Sequence, residues 1–157
     1  MEKILIAYFS WSGNSEYIAN LLKSELKADI FHIQADKKYS NSYAVAVAQV
    51  AKEKLSKEKI QLLNKLENIN DYNKIILIYP AWWFTCPNVV LSFLETFDSK
   101  GKTIIPICNH NGGGLGKSIE DIKKTCPDAE IKSGFAIKKP DVKKTETFSA
   151  VLEYIQA

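Results

Sequence analysis

Short apolar runs alternate along this chain with stretches in which apolar residues recur on one helical face. The runs predict strands over residues 3–9, 30–34, 74–79, 103–108 and 131–137. The one-faced stretches predict helices over residues 14–27, 43–66, 88–97, 118–124 and 143–157, with breaks allowed in the second. A polar loop, residues 36–42, precedes the second helix, and Asn88 is predicted to cap the third helix.

This alternation predicts an α/β fold. Near-continuous apolar strands separated by amphipathic helices are typical of a parallel sheet that is covered on both faces. We therefore expect a doubly wound sheet of five parallel strands in the order 2-1-3-4-5, in one domain over residues 1–157. A length of 157 residues and a hydrophobic content of 46% suit one such domain.

Three loops of unusual composition follow strands one, three and four. Those strands are neighbours in the predicted order, so their carboxyl ends meet at one edge, where doubly wound sheets bind ligands. The first loop is Ser10-Trp11-Ser12-Gly13-Asn14-Ser15. Its hydroxyls and backbone N–H groups stand at the positive end of the following helix, which predicts a phosphate-bearing ligand. An ordinary helix cap at Ser12 or Asn14 is the alternative.

The other two loops indicate a planar ring. The loop Pro80-Ala81-Trp82-Trp83-Phe84-Thr85-Cys86-Pro87 carries three adjacent aromatic side chains, which can stack on such a ring and exclude water. The loop Asn109-His110-Asn111-Gly112-Gly113-Gly114-Leu115-Gly116 is rich in glycine, which lets the backbone lie close to a ligand. For the aromatic loop, the alternative is a hydrophobic plug beneath the third helix. For the glycine-rich loop, the alternative is a flexible connector in which His110 is a hydrogen-bonding loop residue.

Charge and cysteine usage exclude other partners. All 21 basic residues are lysines, spread among acidic residues at a formal net charge of +3, so the sequence predicts no nucleic-acid surface. Cys86, Cys108 and Cys126 form no CxxC pair and are expected to be reduced, packed thiols. Two scattered histidines, His32 and His110, predict no metal site. No apolar run is long enough to span a membrane, so we expect a cytoplasmic protein; the sequence sets no oligomeric state.

Together the three loops resemble those of flavodoxins and flavodoxin-like FMN proteins, over essentially the whole chain. The Ser-x-Ser-Gly-Asn-Ser turn is similar to the family's Thr/Ser-x-Thr-Gly-Asn-Thr phosphate loop, with serines that keep the hydroxyls. The Pro-x-Trp-Trp and Asn-His-Asn-Gly-Gly-Gly loops follow in order at matching strand ends. The fifth strand has no obvious insertion, so the chain is similar to the compact members.

The resemblance implies one non-covalently bound FMN. It implies that the first loop holds the phosphate and that residues 80–84 and 109–113 bracket the isoalloxazine ring. The implied FMN-binding residues are Ser10, Trp11, Ser12, Gly13, Asn14, Ser15, Pro80, Ala81, Trp82, Trp83, Phe84, Asn109, His110, Asn111, Gly112 and Gly113. Either Trp82 or Trp83 stacks on the ring, and Tyr43 is a further hypothesis for a residue at its edge. A cation-free site predicts a low flavin potential.

Two features depart from the family pattern. Many relatives have glycine where this chain has Phe84, and a positive φ is costly for a bulky residue. Electron-carrier flavodoxins are usually strongly acidic, whereas this chain is mildly basic, with a pI of about 8.6. Both departures favour a flavodoxin-like reductase, or a carrier with an unusual partner.

Competing enzyme classes lack their motifs. Residues 111–118 fall one residue short of the nucleotide hydrolase phosphate loop and follow a late strand. A phosphoacceptor receiver domain needs acidic residues where the chain has Phe9-Ser10 and Tyr79-Pro80. A low-molecular-weight phosphatase needs a Cys-x5-Arg loop, and a Rossmann dinucleotide site needs a first-turn GxGxxG; the chain has neither.

We therefore expect a flavodoxin-like redox protein that transfers electrons through FMN, with a redox partner protein or a small-molecule electron acceptor. An electron carrier is the leading expectation. The alternatives are an NAD(P)H-dependent FMN quinone reductase and a binding module that has lost its flavin. The sequence singles out no catalytic residue.

Overall fold

The predicted alternation of strands and helices is present in the computed structural model, which describes residues 2–57 and 59–157. The strands are β1 (Ile4–Tyr8), β2 (Asp29–His32), β3 (Lys74–Pro80), β4 (Thr103–His110), β5 (Glu130–Ile131) and β6 (Phe135–Lys138). The helices are α1 (Asn14–Leu26), α2 (Tyr43–Ser56), α3 (Asn88–Leu94), α4 (Ser118–Thr125) and α5 (Thr145–Gln156). Short 3-10 turns span Ile69–Asp71 and Lys139–Asp141.

All strands pair in parallel, in the order β2-β1-β3-β4-β5, and β6 also pairs with β4. The predicted doubly wound fold class is therefore confirmed. The carboxyl ends of β1, β3 and β4 lie side by side, because Tyr8 is opposite Ile78 and Tyr79 is opposite Cys108. This register brings the three unusual loops to one edge of the sheet.

Alternating side chains of the strands enter two hydrophobic layers, one on each face of the sheet. Leu77 and Tyr79 of β3 belong to the layer that contains α3, and Ile76 and Ile78 belong to the layer that contains α1 and α5. All four side chains are fully buried. Burial on both faces explains why β3 is apolar along its length rather than alternating.

The second predicted helix, over residues 43–66, is wrong beyond Ser56. Lys57 adopts a left-handed conformation, with φ of 53°, and ends α2. The chain then pairs with the segment after β2: the N–H of Asp36 donates to the carbonyl of Gln61, and the N–H of Leu63 donates to the carbonyl of Gln34. These long-range bonds prevail over the helical pattern. Residue 58 lies outside the described residues.

The predicted fifth strand, over residues 131–137, is two strands. Gly134 takes a left-handed φ of 89°, and its N–H donates to the hydroxyl of Tyr154 at 2.7 Å instead of to a neighbouring strand. Strand β4 is longer than predicted and includes Asn109 and His110. The third helix begins with Asn88 after Pro87, so Asn88 is not its N-cap, and it ends at Leu94 rather than near residue 97.

The three cysteines are free and buried, as predicted. Burial raises the pKa of Cys86 and of Cys108 to about 12, and that of Cys126 to about 11, so all three are neutral thiols near pH 7. Among the described residues, no helix has the length and apolar content needed to cross a membrane. The same part of the chain brings together no group of three metal-ligating side chains.

Candidate functional site

A pocket of about 410 Å³ opens at the carboxyl edge of the sheet. Its walls come from all three unusual loops, from the first half of α2 and from the turn after β6. The lining residues are Trp11, Ser12, Tyr43, Ala46, Val47, Val50, Pro80, Ala81, Trp82, Trp83, Phe84, His110, Asn111, Gly112, Gly113 and Lys139. The convergence predicted from strand order is therefore present.

The first loop presents unpaired backbone donors at the N-terminus of α1. Gly13 has a φ of 97°, a conformation that few other residues adopt, and its N–H donates to Ser10 Oγ at 3.0 Å. The N–H groups of Ser12, Asn14 and Ser15 donate to no described residue. Free amides at the positive end of a helix are a ready site for an anion such as phosphate.

Asn109 and Ser15 support this loop through a buried hydrogen bond and do not line the pocket. Asn109 is 1% exposed, and its Nδ2 donates to Ser15 Oγ at 2.8 Å and to the carbonyl of Tyr79 at 3.4 Å. Its Oδ1 is buried and has no hydrogen-bond partner among the described residues. The bond to Ser15 ties the end of β4 to the first turn of α1.

The aromatic loop is a two-residue hairpin turn. Trp82 and Thr85 exchange backbone hydrogen bonds of 2.8 Å and 3.2 Å, and the two residues between them have φ values of 54° (Trp83) and 60° (Phe84). Positive φ at both central positions is the type I′ pattern, which normally takes Asn-Gly. Each bulky residue in this region costs about 1–2 kcal/mol. The conformation expected to be costly for Phe84 is therefore adopted.

Phe84 interlocks with the glycine-rich loop. The Lys117 N–H donates to the Phe84 carbonyl at 2.7 Å. A Cβ on Gly116 would lie 1.9 Å from that carbonyl oxygen, and a Cβ on Gly113 would lie 2.6 Å from the Phe84 ring. Two glycines of the third loop are thus required for packing against the second loop, a role that sequence reasoning missed.

The two adjacent tryptophans have different environments. The Trp82 ring packs edge-on against Phe9 and Tyr39, with centroids 5.4 Å and 5.1 Å apart, so it is anchored in the core layer. The Trp83 side chain is 51% exposed, and its Nε1 donates to the carbonyl of Val47 in α2 at 3.1 Å. Trp82 is the rigid wall of the pocket, and Trp83 forms its outer rim.

Buried polar groups hold the base of the hairpin. The Lys54 ammonium donates to the carbonyl of Cys86 and to Asn88 Oδ1, and burial lowers its pKa. On the other side, the Thr85 hydroxyl donates to the carboxylate of Asp121 in α4. The side chain predicted to cap α3, Asn88, thus accepts from α2, and the hairpin is fixed to the helices on either side.

His110 organises the third loop. Its Nδ1 accepts hydrogen bonds from the N–H groups of Gly112 (2.9 Å) and Gly114 (3.1 Å). A nitrogen that accepts carries no proton, so these bonds favour the neutral ring with its proton on Nε2. Burial lowers the pKa of His110, and the nearby charge of Lys138 lowers it further. A neutral His110 is consistent with its position in the pocket wall.

The structure brings most of the predicted ligand residues together. Those that lie beside the lining rather than in it are Ser10, Gly13, Asn14, Ser15 and Asn109. Their role as ligands, like that of the others, stays a prediction. The hypothesis that Tyr43 lies beside the ring site agrees with its place in the lining, where its ring is 6.2 Å from that of Trp11.

Sequence reasoning missed the wall formed by Ala46, Val47 and Val50, and it missed Lys139. Lys139 places one cation in the lining of the pocket; the expectation that FMN is held without a cation stays a prediction. Lys139 follows β6, whose last residue pairs with His110, and this register is what brings it to the pocket. The only feature of the sequence that could have indicated this position was a lysine at the end of a predicted strand.

The comparison with protein families identifies one family. The family model described as Flavodoxin matches residues 3–151. A provisionally assigned flavoprotein from Bacteroides eggerthii superposes with a TM-score of 0.84 at 28% identity, over 100% of this chain and 99% of that chain. No curated protein matches the chain.

Two further solved structures share the fold at lower identity. A Lactobacillus acidophilus flavoprotein in complex with FMN gives a TM-score of 0.71 at 17% identity, over 93% of this chain and 99% of that chain. An NADPH-quinone reductase from P. pentosaceus gives 0.57 at 13% identity, over 99% of this chain and 96% of that chain.

The interlock of the two loops predicts unequal effects of two matched substitutions. Gly114 and Gly116 both have left-handed φ values, 64° and 53°, but only at Gly116 would a Cβ meet another atom. We expect Gly114→Ala to cost about 1 kcal/mol of unfolding free energy through backbone strain alone. Gly116→Ala should cost at least about 1 kcal/mol more, since it must break the Lys117–Phe84 bond. Urea unfolding measures both; equal losses would contradict the interlock.

The acceptor role of His110 predicts a pH dependence of stability. Its folded pKa is lowered, so its contribution is complete above the unfolded pKa of about 6.5 and is lost as the pH falls through the folded pKa. His110→Asn, whose Oδ1 can accept in place of Nδ1, should reduce the stability lost between pH 8 and pH 5.5. Burial also lowers the pKa of His32, so His32→Asn is the comparison that isolates the share of His110. An undiminished loss in His110→Asn would refute this role.

Proposed function

Since this chain belongs to the flavodoxin family, we propose that it binds one FMN in the pocket at the carboxyl edge of its sheet and transfers electrons through that cofactor. The single observation that carries the proposal is a set of unpaired amides at Ser12, Asn14 and Ser15, next to a pocket with aromatic walls. A phosphate and a planar ring joined by a short chain satisfy both features at once.

The first loop fits a phosphate group. Its free N–H groups and the Ser12 hydroxyl are donors, and the α1 dipole adds a partial positive charge of about one half. The nearest carboxylate along the chain, that of Glu16, interacts electrostatically with Tyr8 and His32, on the β2 side of the loop. We propose that the loop from Ser10 to Ser15 binds the phosphate, with the hydroxyls of Ser10 and Ser15 supporting the turn.

The other two loops fit a flat, largely apolar ring. Trp82 is held by core aromatics and would exclude water from one side of the ring. His110 fixes the backbone of Gly112 and Gly114, so that the third loop is a rigid wall. Bound FMN supplies the electron-accepting and electron-donating chemistry, and these residues orient it and set the polarity around it.

Two functions fit this site. The first is a carrier that exchanges electrons with a protein partner. The second is an NAD(P)H-dependent reductase of quinones or similar small acceptors, and one observation favours it: the exposed aromatic mouth formed by Tyr43, Trp83 and Phe84 would admit a small molecule beside the cofactor. Location in the cytoplasm stays a prediction of the sequence.

Phosphate recognition predicts that the apoprotein binds FMN far more tightly than riboflavin, which lacks the phosphate. Two or more charge-assisted bonds imply a preference of at least about 100-fold. Ser12→Ala should weaken FMN binding about tenfold and leave riboflavin binding unchanged. Ser24→Ala, at the exposed far end of α1, is the matched control. Fluorescence titration measures the affinity of all three proteins for both flavins, and equal affinity of the wild type for the two flavins would refute the phosphate site.

Direct reduction separates the carrier from the reductase. FMN-loaded protein is mixed anaerobically with NADH or NADPH, and flavin bleaching is followed with and without an added flavodoxin reductase. If the protein is a carrier, its flavin is bleached only when the added reductase is present, because a carrier has no nicotinamide site of its own. A reductase is bleached by the nucleotide alone. Fast bleaching by the nucleotide alone would show that the mouth of the pocket admits a small molecule to the flavin.

A further inference from the structure

The mouth of the pocket combines an exposed aromatic surface with one cation. Tyr43, Trp83 and Phe84 are 60%, 51% and 66% exposed, although aromatic side chains of this size are usually covered. They converge from α2 and from the hairpin onto the same opening. Lys139, which follows β6, lines the same pocket, and its Nζ lies 5.8 Å from the centroid of the Tyr43 ring.

Lys139 has no counter-ion in the described part of the chain. No carboxylate there lies within 4.0 Å of its Nζ, and none of the residues that line the pocket is acidic. The nearby Lys144, by contrast, pairs with Asp141 at 2.7 Å. Lys139 is also half-buried, so its charge is less screened by water than that of a fully exposed lysine. A cation without a counter-ion, over one aromatic ring and in a pocket with other aromatic walls, is complementary to an anion with an apolar body.

We propose that this mouth binds a small planar aromatic molecule that carries an anionic group. Lys139 forms the ion pair, and Tyr43, Trp83 and Phe84 form the apolar contact surface. The inference rests on the proposed function, because it defines the class of small molecule that the FMN-loaded protein would meet at its cofactor. The phosphate of FMN does not account for Lys139, since the amides that fit a phosphate are in the first loop.

The test uses two non-reacting probes of nearly the same shape, one anionic and one neutral. FMN-loaded protein is titrated by calorimetry with 2-naphthoate and with its uncharged isostere, 2-naphthamide. We expect the wild-type protein to bind the acid about fivefold more tightly than the amide. Lys139→Gln should reduce this ratio to about one without weakening the binding of the amide. Tyr43→Leu should weaken both probes by the same factor.

Controls separate this inference from its alternatives. Lys143→Gln removes a neighbouring exposed lysine, which lies over the Tyr17 ring, and should leave the ratio unchanged. An equal fall of the ratio in this variant would attribute the selectivity to the general charge of the segment and overturn the role of Lys139. Equal affinity of the wild-type protein for the acid and the amide would also overturn it.

Titration of the apoprotein with FMN tests whether Lys139 contributes to binding of the cofactor. Lys139→Gln should bind FMN as tightly as the wild type; a matching loss of FMN affinity would assign Lys139 to the cofactor and refute the separate site. If the wild-type protein takes up no FMN, the proposed function and this inference both fail. If it takes up FMN but does not discriminate between the probes, only this inference fails.

Discussion

The architecture of the pocket depends on two consecutive left-handed residues, Trp83 and Phe84. Their backbone conformation is unfavourable for bulky side chains, at about 1–2 kcal/mol each. Three contacts offset that strain: the paired backbone bonds between Trp82 and Thr85, the bond from Lys117 to the Phe84 carbonyl, and the indole bond to Val47. The hairpin is thus held by α2, by its own base and by the glycine-rich loop together.

This arrangement changes the meaning of the glycines in the third loop. A glycine-rich loop after a strand is readily interpreted as close backbone approach to a ligand. Here Gly113 and Gly116 leave room for Phe84, so the absence of side chains on one loop permits a bulky side chain on the next. The Phe84 ring and the Gly113 backbone form one continuous wall. Strain stored at such a wall is common where a protein meets its ligand.

Most of the fold followed from hydrophobic patterning, because the buried strands are long and continuous. The turn in the first loop was also predictable, since Gly13 stands between a strand and a helix, whereas the binding of phosphate there stays a prediction. The end of α2 was not predictable, because the left-handed Lys57 and the pairing of Leu63 with Gln34 depend on distant parts of the chain. Adjacent tryptophans look alike in sequence, and only packing distinguishes Trp82 from its neighbour.

Lys139 illustrates a further limit of sequence reasoning. It stands in a lysine-rich segment that resembles an ordinary solvated surface, and its place in the pocket depends on the pairing of β6 with β4. The bond between Asn109 and Ser15 likewise joins residues 94 positions apart. The first-loop side of the site is therefore incomplete until β4 has been added, and the Lys139 side until β6 has been added. During synthesis, the part of the pocket wall that contains Lys139 can form only after β6 has left the ribosome, because the pairing of β6 with β4 is what brings it there.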